Sequence, residues 1–283
     1  MTATASAIAT PTTTTTPVSA PRYGRPPDAG QLQEWVRSFH RDGYVLLPEV
    51  LPRELCERLR EDFDSICPTT HQPTECAVRL FESSRANLEL FDCEPIVTLA
   101  ETLLGEDGNY GVETCHVVHN NSFRTSAGGG FSHWHQDDSP HFLCTDAQPP
   151  ANIHLPVLLM TANFYLTDQE QAMNGPAQVV PGSHRFGQIP PADLTGTRWE
   201  PQIITCGGRA GSVMIFNSQV WHRGAPNRSN RVRYVTQVSY GRKSIAHFFS
   251  PFMGYQMQAM ALDWASTPRR RRLLGYLPNG AYG

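Results

Sequence analysis

The sequence predicts a mainly β jelly roll buttressed on one sheet by N-terminal α-helices. Two observations carry that expectation. Helical periodicity is concentrated in roughly the first hundred residues, and from Asn109 onward short apolar segments alternate with Gly-, Pro- and Asn-rich turns. Composition agrees: of 283 residues 40% are hydrophobic and 17% charged, with 23 Pro and 22 Gly, a balance that favours short strands and turns over long helices. Length alone allows one domain or two. With no internal repeat, a single domain over 28–283 is expected. Before it, the Thr-, Ala- and Pro-rich stretch 1–27 reads as a disordered leader, because it has too little apolar surface to offset chain ordering.

In chain order, Asp28 to Ser38 reads as helix, with Leu32, Trp35, Val36 and Phe39 at steps of three and four. Asp42-Gly43 turns into a strand, Tyr44 to Leu47. Leu51-Pro52 opens a second helix over Glu54 to Ile66, apolar along Leu55, Leu59, Phe63 and Ile66. Pro68 to Pro73 is a loop, and Pro95 to Leu104 a helix stopped by Gly105. Strands are then expected at Val112 to Asn120, around His135, over Val157 to Leu166, at Gln178 to Val180, Ile203-Ile204, Ser212 to Phe216 and Arg231 to Ser239. Turns at Gly128 to Gly130, Asn174-Gly175-Pro176 and Pro181 to His184 separate several of them. The run Arg269 to Arg272 reads as a solvated basic patch, with contact to an anionic substrate or partner as the alternative. Leu273 to Gly283 is apolar enough to pack on the barrel.

Several function classes are disfavoured. A formal net charge of −3 gives no general attraction to nucleic acid. No apolar run reaches 18 residues, so no membrane span is expected. Seven scattered cysteines without a C-x-x-C pair argue against a disulfide framework or zinc ribbon. A reduced, cytoplasmic protein acting on a small-molecule substrate is the expectation; oligomeric state is not legible.

The chemistry concentrates in Trp134-His135-Gln136-Asp137 and Trp221-His222-Arg223-Gly224. On an extended strand residues i and i+2 share a side, so His135 and Asp137 aim one nitrogen and one oxygen at the same point. His222 from a distant strand completes two imidazoles and one carboxylate, a set suited to Fe(II) and O2 chemistry. An isolated H-x-D is weak, and local hydrogen bonding is its bland explanation. Asp138 is an alternative ligand, but of the wrong parity. Beyond His222, Arg231 and Arg233 fall on one parity with Val235 and Gln237. An inward guanidinium holds a carboxylate with two parallel hydrogen bonds and suits the distal end of 2-oxoglutarate; a surface role is the alternative for either arginine. His133 shares the parity of His135 and either lines the pocket or is simply solvated. Asn163 either meets the co-substrate or serves structure. A zinc hydrolase lacks support, since no H-E-x-x-H helix is present. A catalytically idle small-molecule-binding barrel would require a broken ligand set or no anchor arginine.

Four blocks in order resemble the phytanoyl-CoA dioxygenase family of Fe(II)/2-oxoglutarate oxygenases, spanning roughly residues 40 to 240. They are Trp134-His135-Gln136-Asp137, then Asn174-Gly175-Pro176 through Pro181-Gly182-Ser183-His184, then Trp221-His222-Arg223-Gly224, and finally Asn227 to Arg233. The resemblance implies a double-stranded β-helix of cupin-like form, with His135, Asp137 and His222 as iron ligands. It implies Arg233, eleven positions after His222, as the 2-oxoglutarate arginine, with Arg231 as the fallback. It gives His184 a structural corner and no catalytic role. Related halogenases lack the carboxylate, so Asp137 implies hydroxylation of a C–H bond, with Fe(II) as cofactor and 2-oxoglutarate and O2 consumed to give succinate and CO2. Desaturation, cyclisation or epimerisation are alternatives open to the same chemistry. A small biosynthetic metabolite is the expected substrate, since no peroxisomal S-K-L end is present. The stretches Phe123 to Phe131 and Ser139 to Pro156 are expected to shape the pocket as a lid.

Overall fold

The computed structural model describes residues 23–106, 108, 111–144, 154–247 and 255–276. Most of the expected leader, 1–22, the middle of the second lid stretch, 145–153, and the last residues, 277–283, lie outside that set. In chain order come α1 (Ala29–Asp42), β1 (Tyr44–Leu47), α2 (Arg53–Ile66), β2 (Thr74–Val78), α3 (Arg85–Glu89) and α4 (Ile96–Leu104). They are followed by β3 (Cys115–Thr125), β4 (Leu159–Tyr165), β5 (Ala177–Val179), β6 (Ile204–Cys206), β7 (Val213–Asn217), β8 (His222–Gly224) and β9 (Arg233–Arg242). Two short helices close the series, α5 (Ala259–Trp264) and α6 (Pro268–Leu273).

Two antiparallel sheets face each other: six strands in the order β1-β7-β4-β9-β3-β2, and three in the order β6-β5-β8. Alternation decides which face does what. Met160, Ala162 and Phe164 of β4, Val213 and Ile215 of β7, and Val238 and Tyr240 of β9 pack outward. They meet Trp35 and Phe39 of α1, Leu59 of α2 and Leu99 and Leu103 of α4 in one large core. The intervening residues Thr161, Asn163 and Tyr165, Met214 and Phe216, and Arg233, Val235 and Gln237 therefore face the second sheet. All seven residues of β4 are buried, as expected of a central strand covered on both faces.

Helix ends are set locally. Asp28 caps α1, accepting from the Gln31 N–H at 2.8 Å while the Gln31 side chain accepts from the Asp28 N–H at 3.2 Å. Gly43 ends the helix in the left-handed region (φ 82°). A Cβ there would sit 2.6 Å from Nδ1 of the buried His184, whose Nε2 lies 3.2 Å from the His40 carbonyl. That contact locks the Pro181 to His184 corner onto the end of α1.

Three expectations are corrected. The segment around His135 is extended but is no strand; apart from an isolated bridge it forms no ladder. The strand placed at Val112 to Asn120 begins at Cys115 and runs on to Thr125, so Phe123 belongs to the sheet and not to a loop. Of the run Arg269 to Arg272 only Arg271 is exposed as a solvated patch requires. Arg269 pairs with Glu94 at 2.7 Å and Glu101 at 2.5 Å, Arg270 pairs with Asp92 at 2.8 Å, and the buried Arg272 also pairs with Glu101. The physical reason is Glu101, itself buried in α4, which requires cationic partners. These pairs dock α6 on the helical layer and carry Leu273 and Leu274 into the core.

Removing one partner of a buried ion pair leaves the other charge uncompensated. Glu101→Ala is expected to destabilise the fold by about 3 kcal/mol in urea unfolding; a change near zero would mean that the arginines are already solvated.

Candidate metal centre

His135 and His222 are direct partners in an antiparallel bridge, each N–H donating to the other's carbonyl at 3.0 and 2.9 Å. Directly opposed residues project to one face, and the two imidazole centroids lie 4.3 Å apart. The residue before each histidine must then point the other way. Trp134 and Trp221 do so, burying their indoles with Val180 and Leu194; the Trp221 indole N–H donates to the Gln188 carbonyl at 3.0 Å. Each Trp-His pair is thus a hydrophobic anchor on one face and a donor on the other. The Asp137 N–H donates to the Ser218 carbonyl at 2.9 Å, a second tie that keeps His135 and Asp137 on one side without a continuous strand.

His135, Asp137 and His222 each present a ligand atom, all within 4.8 Å of one another; Nε2 of His222 is 3.3 Å from Oδ1 of Asp137. Nδ1 of His135 lies 3.1 Å from the His133 carbonyl, and Nδ1 of His222 lies 2.9 Å from the Val220 carbonyl. A carbonyl can only accept, so each neutral ring carries its proton on Nδ1 and turns the Nε2 lone pair towards the carboxylate. That is the tautomer a metal ligand requires.

Charge at the site follows from burial and proximity. Burial, reinforced by the facing His222, pushes the His135 pKa down to about 4. Burial disfavours ionised Asp137, yet the two imidazoles and the Thr161 hydroxyl outweigh it and hold the carboxyl below its ordinary value. For His222 burial opposes protonation, but the Asp137 charge prevails and raises the pKa. Thr161 Oγ1 donates to Asp137 Oδ2 at 3.1 Å and lies 2.9 Å from Ser239 Oγ, so a hydroxyl relay from β9 through β4 orients the carboxylate.

The donors open on a cavity of about 240 Å³ whose wall includes Asn163, Gln169 and Arg233, with Phe123, Phe131 and Val235 as apolar lining. Arg233 is 8% exposed and donates to the Ala225 carbonyl at 3.0 Å. Burial lowers its pKa to about 10, so it stays a cation at neutral pH. Among the described residues no carboxylate pairs with it. Gly175 (φ 69°) makes room for it: a Cβ there would lie 2.6 Å from Arg233 Nη1 and 2.5 Å from the Ala225 oxygen. Two buried amide atoms on the wall, Asn163 Oδ1 and Gln169 Nε2, have no hydrogen-bond partner.

Of the remaining candidates, Arg231 is exposed just before β9 and lines, with Arg53 and Arg60, a neighbouring groove that Arg233 also borders. His133 is exposed, outside the cavity wall; its carbonyl lies 3.1 Å from Nδ1 of His135 and its ring centroid 5.1 Å from the His135 ring. Asp138 turns to His141 at 2.9 Å, away from the imidazoles. Sequence reasoning missed Thr161 and Gln169. Thr161 shares the parity of Asn163 and was within reach; Gln169, beyond the end of β4, belongs to no periodic pattern.

A jelly roll with this donor set and an unpaired inward guanidinium at one cavity defines a metal- and oxo-acid-dependent oxygenase. The chain belongs to the phytanoyl-CoA dioxygenase (PhyH) family, whose model matches residues 39–235. It is an Fe(II)/2-oxoglutarate-dependent dioxygenase and uses Fe(II), 2-oxoglutarate and O2. It is 27% identical over 229 residues to an ectoine dioxygenase of Nocardia farcinica (strain IFM 10152), covering 69% of this chain and 72% of that protein. The fold is shared with HygX from Streptomyces hygroscopicus, solved with nickel and 2-oxoglutarate (TM-score 0.61, 16% identity, 77% of this chain and 89% of that one). It is also shared with the non-haem α-ketoglutarate-dependent epimerase SnoN of nogalamycin biosynthesis (TM-score 0.60, 20% identity, 82% and 94%). Among the described residues no helix is long and apolar enough to cross a membrane.

Hydrogen bonds that orient a ligand from behind are worth tenfold or more in metal affinity. Thr161→Val, which keeps the shape and deletes the donor, is expected to weaken Fe(II) binding by about 10- to 100-fold in an anaerobic titration. Unchanged affinity would show that the hydroxyl relay does not position Asp137.

Proposed function

We propose that this enzyme hydroxylates an unactivated C–H bond of a small organic metabolite. The balanced reaction is R–H + O2 + 2-oxoglutarate → R–OH + succinate + CO2. His135, Asp137 and His222 would hold Fe(II), which when bound with 2-oxoglutarate supplies the oxidant for C–H cleavage. Arg233 takes the distal carboxylate of 2-oxoglutarate by paired charge-assisted hydrogen bonds. The orphaned amides of Asn163 and Gln169 supply hydrogen bonds to co-substrate or substrate. Phe123, Phe131 and Val235 keep bulk water from the reacting centre and give the substrate an apolar wall.

One observation carries this reading. A buried guanidinium without a carboxylate partner faces the same cavity as three converging metal donors, and such a charge calls for an anionic ligand. Asp137 itself favours hydroxylation over halogenation, because it occupies the coordination position that a halide would need. HygX has been solved with hygromycin B bound and SnoN acts in nogalamycin biosynthesis; we place this enzyme likewise among those that tailor biosynthetic metabolites. All seven cysteines are free, which supports a reducing, cytoplasmic setting. The net charge of −3 supports a role apart from nucleic acid.

The test is succinate release under 18O2 with Fe(II), 2-oxoglutarate and a panel of metabolites. Hydroxylation predicts one succinate per product and one labelled oxygen in the product alcohol. Succinate release with a product that gains no oxygen would replace hydroxylation by desaturation, cyclisation or epimerisation. Arg233→Ala is expected to raise KM for 2-oxoglutarate by about 30- to 100-fold, equivalent to about 2–3 kcal/mol, and Arg231→Ala to change it little; the reverse ranking would move the co-substrate to the neighbouring groove.

A further inference from the structure

We propose that His40, Glu106 and His154 form a second divalent-metal site, of the kind that takes Zn2+, separate from the catalytic cavity. The three come from separate parts of the chain: the last turn of α1, the turn just beyond α4, and the segment that leads into β4. Each offers one ligand atom, and all three atoms lie within 4.8 Å of one another. Glu106 Oε2 is 2.8 Å from His40 Nε2 and 3.4 Å from His154 Nε2, and the two rings sit 4.6 Å apart.

The geometry is close to what zinc needs. Zn–N and Zn–O bonds of about 2.0–2.2 Å at a tetrahedral centre place neighbouring donor atoms roughly 3.4 Å apart. Both separations from Glu106 Oε2, 2.8 and 3.4 Å, lie within about 0.6 Å of that value, and the two imidazole donors, within 4.8 Å of each other, need close by no more than about 1.4 Å. The carboxylate is already oriented from behind, since Glu106 Oε1 accepts from the Val157 N–H at 3.1 Å, the arrangement that tunes ligands at metal sites. His40 is fixed by the helix it ends, where its carbonyl meets the His184 ring at 3.2 Å. Burial disfavours charge on Glu106, but the His40 hydrogen bond wins and keeps the carboxyl ionised. The His154 side chain is 65% exposed and the Glu106 side chain 18%, which leaves an entry path from solvent.

Two imidazoles with one carboxylate select a borderline cation over Mg2+ or Ca2+, which prefer all-oxygen sets. Three protein ligands leave a fourth position for water. None of the three residues lines the catalytic cavity, and the ion acts as a clasp. It ties the approach to β4, the strand that carries Thr161 and Asn163, to α1. The competing explanation is a plain His40–Glu106 ion pair with His154 as a bystander.

The experiment uses the untagged full chain carrying His135→Ala and His222→Ala, so that the catalytic centre cannot contribute. Equilibrium dialysis against micromolar Zn2+ with elemental analysis is expected to find one Zn2+ per chain and a rise in melting temperature on loading. Adding His154→Ala, which removes an exposed side chain, should abolish both effects while leaving the metal-free melting temperature unchanged. Adding Glu106→Gln, which keeps an oxygen for the Val157 N–H, should weaken binding about tenfold or more. No Zn2+ on the starting variant, or Zn2+ retained equally by all three proteins, would overturn the site and leave only an ion pair.

Discussion

The His135–His222 bridge is the constraint on which the catalytic end of this molecule depends. Two backbone hydrogen bonds of 3.0 and 2.9 Å oppose two residues that are far apart in sequence. Strand geometry then does the rest, sending both imidazoles to one face and both preceding tryptophans to the other. The indoles are buried, so rotating either histidine out of position would expose a large apolar side chain. Burying an aromatic of that size stabilises by a few kcal/mol, and that energy holds the donors in place. β8 is in turn seated on β5, with His222 opposite Val179, which ties that histidine to the smaller sheet.

The site is arranged for ligands that are not part of the chain. Its anionic member, Asp137, has a hydroxyl relay behind it and two lone pairs in front. Its cationic member, Arg233, is buried and donates to the Ala225 carbonyl, and among the described residues no carboxylate pairs with it. Leaving a guanidinium and two amides undersatisfied is costly in a folded protein, and such costs cluster where a ligand is expected to complete the network. The outer face of the same strands shows the contrast: there Met160, Ala162, Phe164, Val213, Ile215, Val238 and Tyr240 pack in one core with residues of α1, α2 and α4. A single strand thus contributes to stability with one parity and to chemistry with the other.

Much of this was legible from sequence where a period was long enough to read. β1 is found at Tyr44–Leu47 as expected, α1 buries Trp35 and Phe39 of its apolar stripe and α2 buries Leu59 and Phe63 but exposes Ile66, and the parity of Arg233, Val235 and Gln237 gives the inward face of β9. The illegible parts share a physical cause. α5 and α6 have six residues each, too short for a periodic signal, and α6 exists because carboxylates some 170 residues earlier receive its arginines. β2 alternates weakly and pairs only with β3 at the sheet edge. The His135 segment reads as strand because H-x-D needs extended backbone, which the fold supplies with two isolated ties in place of a ladder. Gln169 and the His40–Glu106–His154 cluster arise purely from tertiary proximity.

The central claim is that His135, Asp137 and His222 share one ion beside Arg233. An anomalous-difference map from crystals grown anaerobically with Fe(II) and 2-oxoglutarate tests it most directly. The account predicts an iron peak within bonding distance of both Nε2 atoms and an Asp137 oxygen, with the distal carboxylate of 2-oxoglutarate on Arg233. Iron bound elsewhere, or a co-substrate that leaves Arg233 untouched, would contradict it.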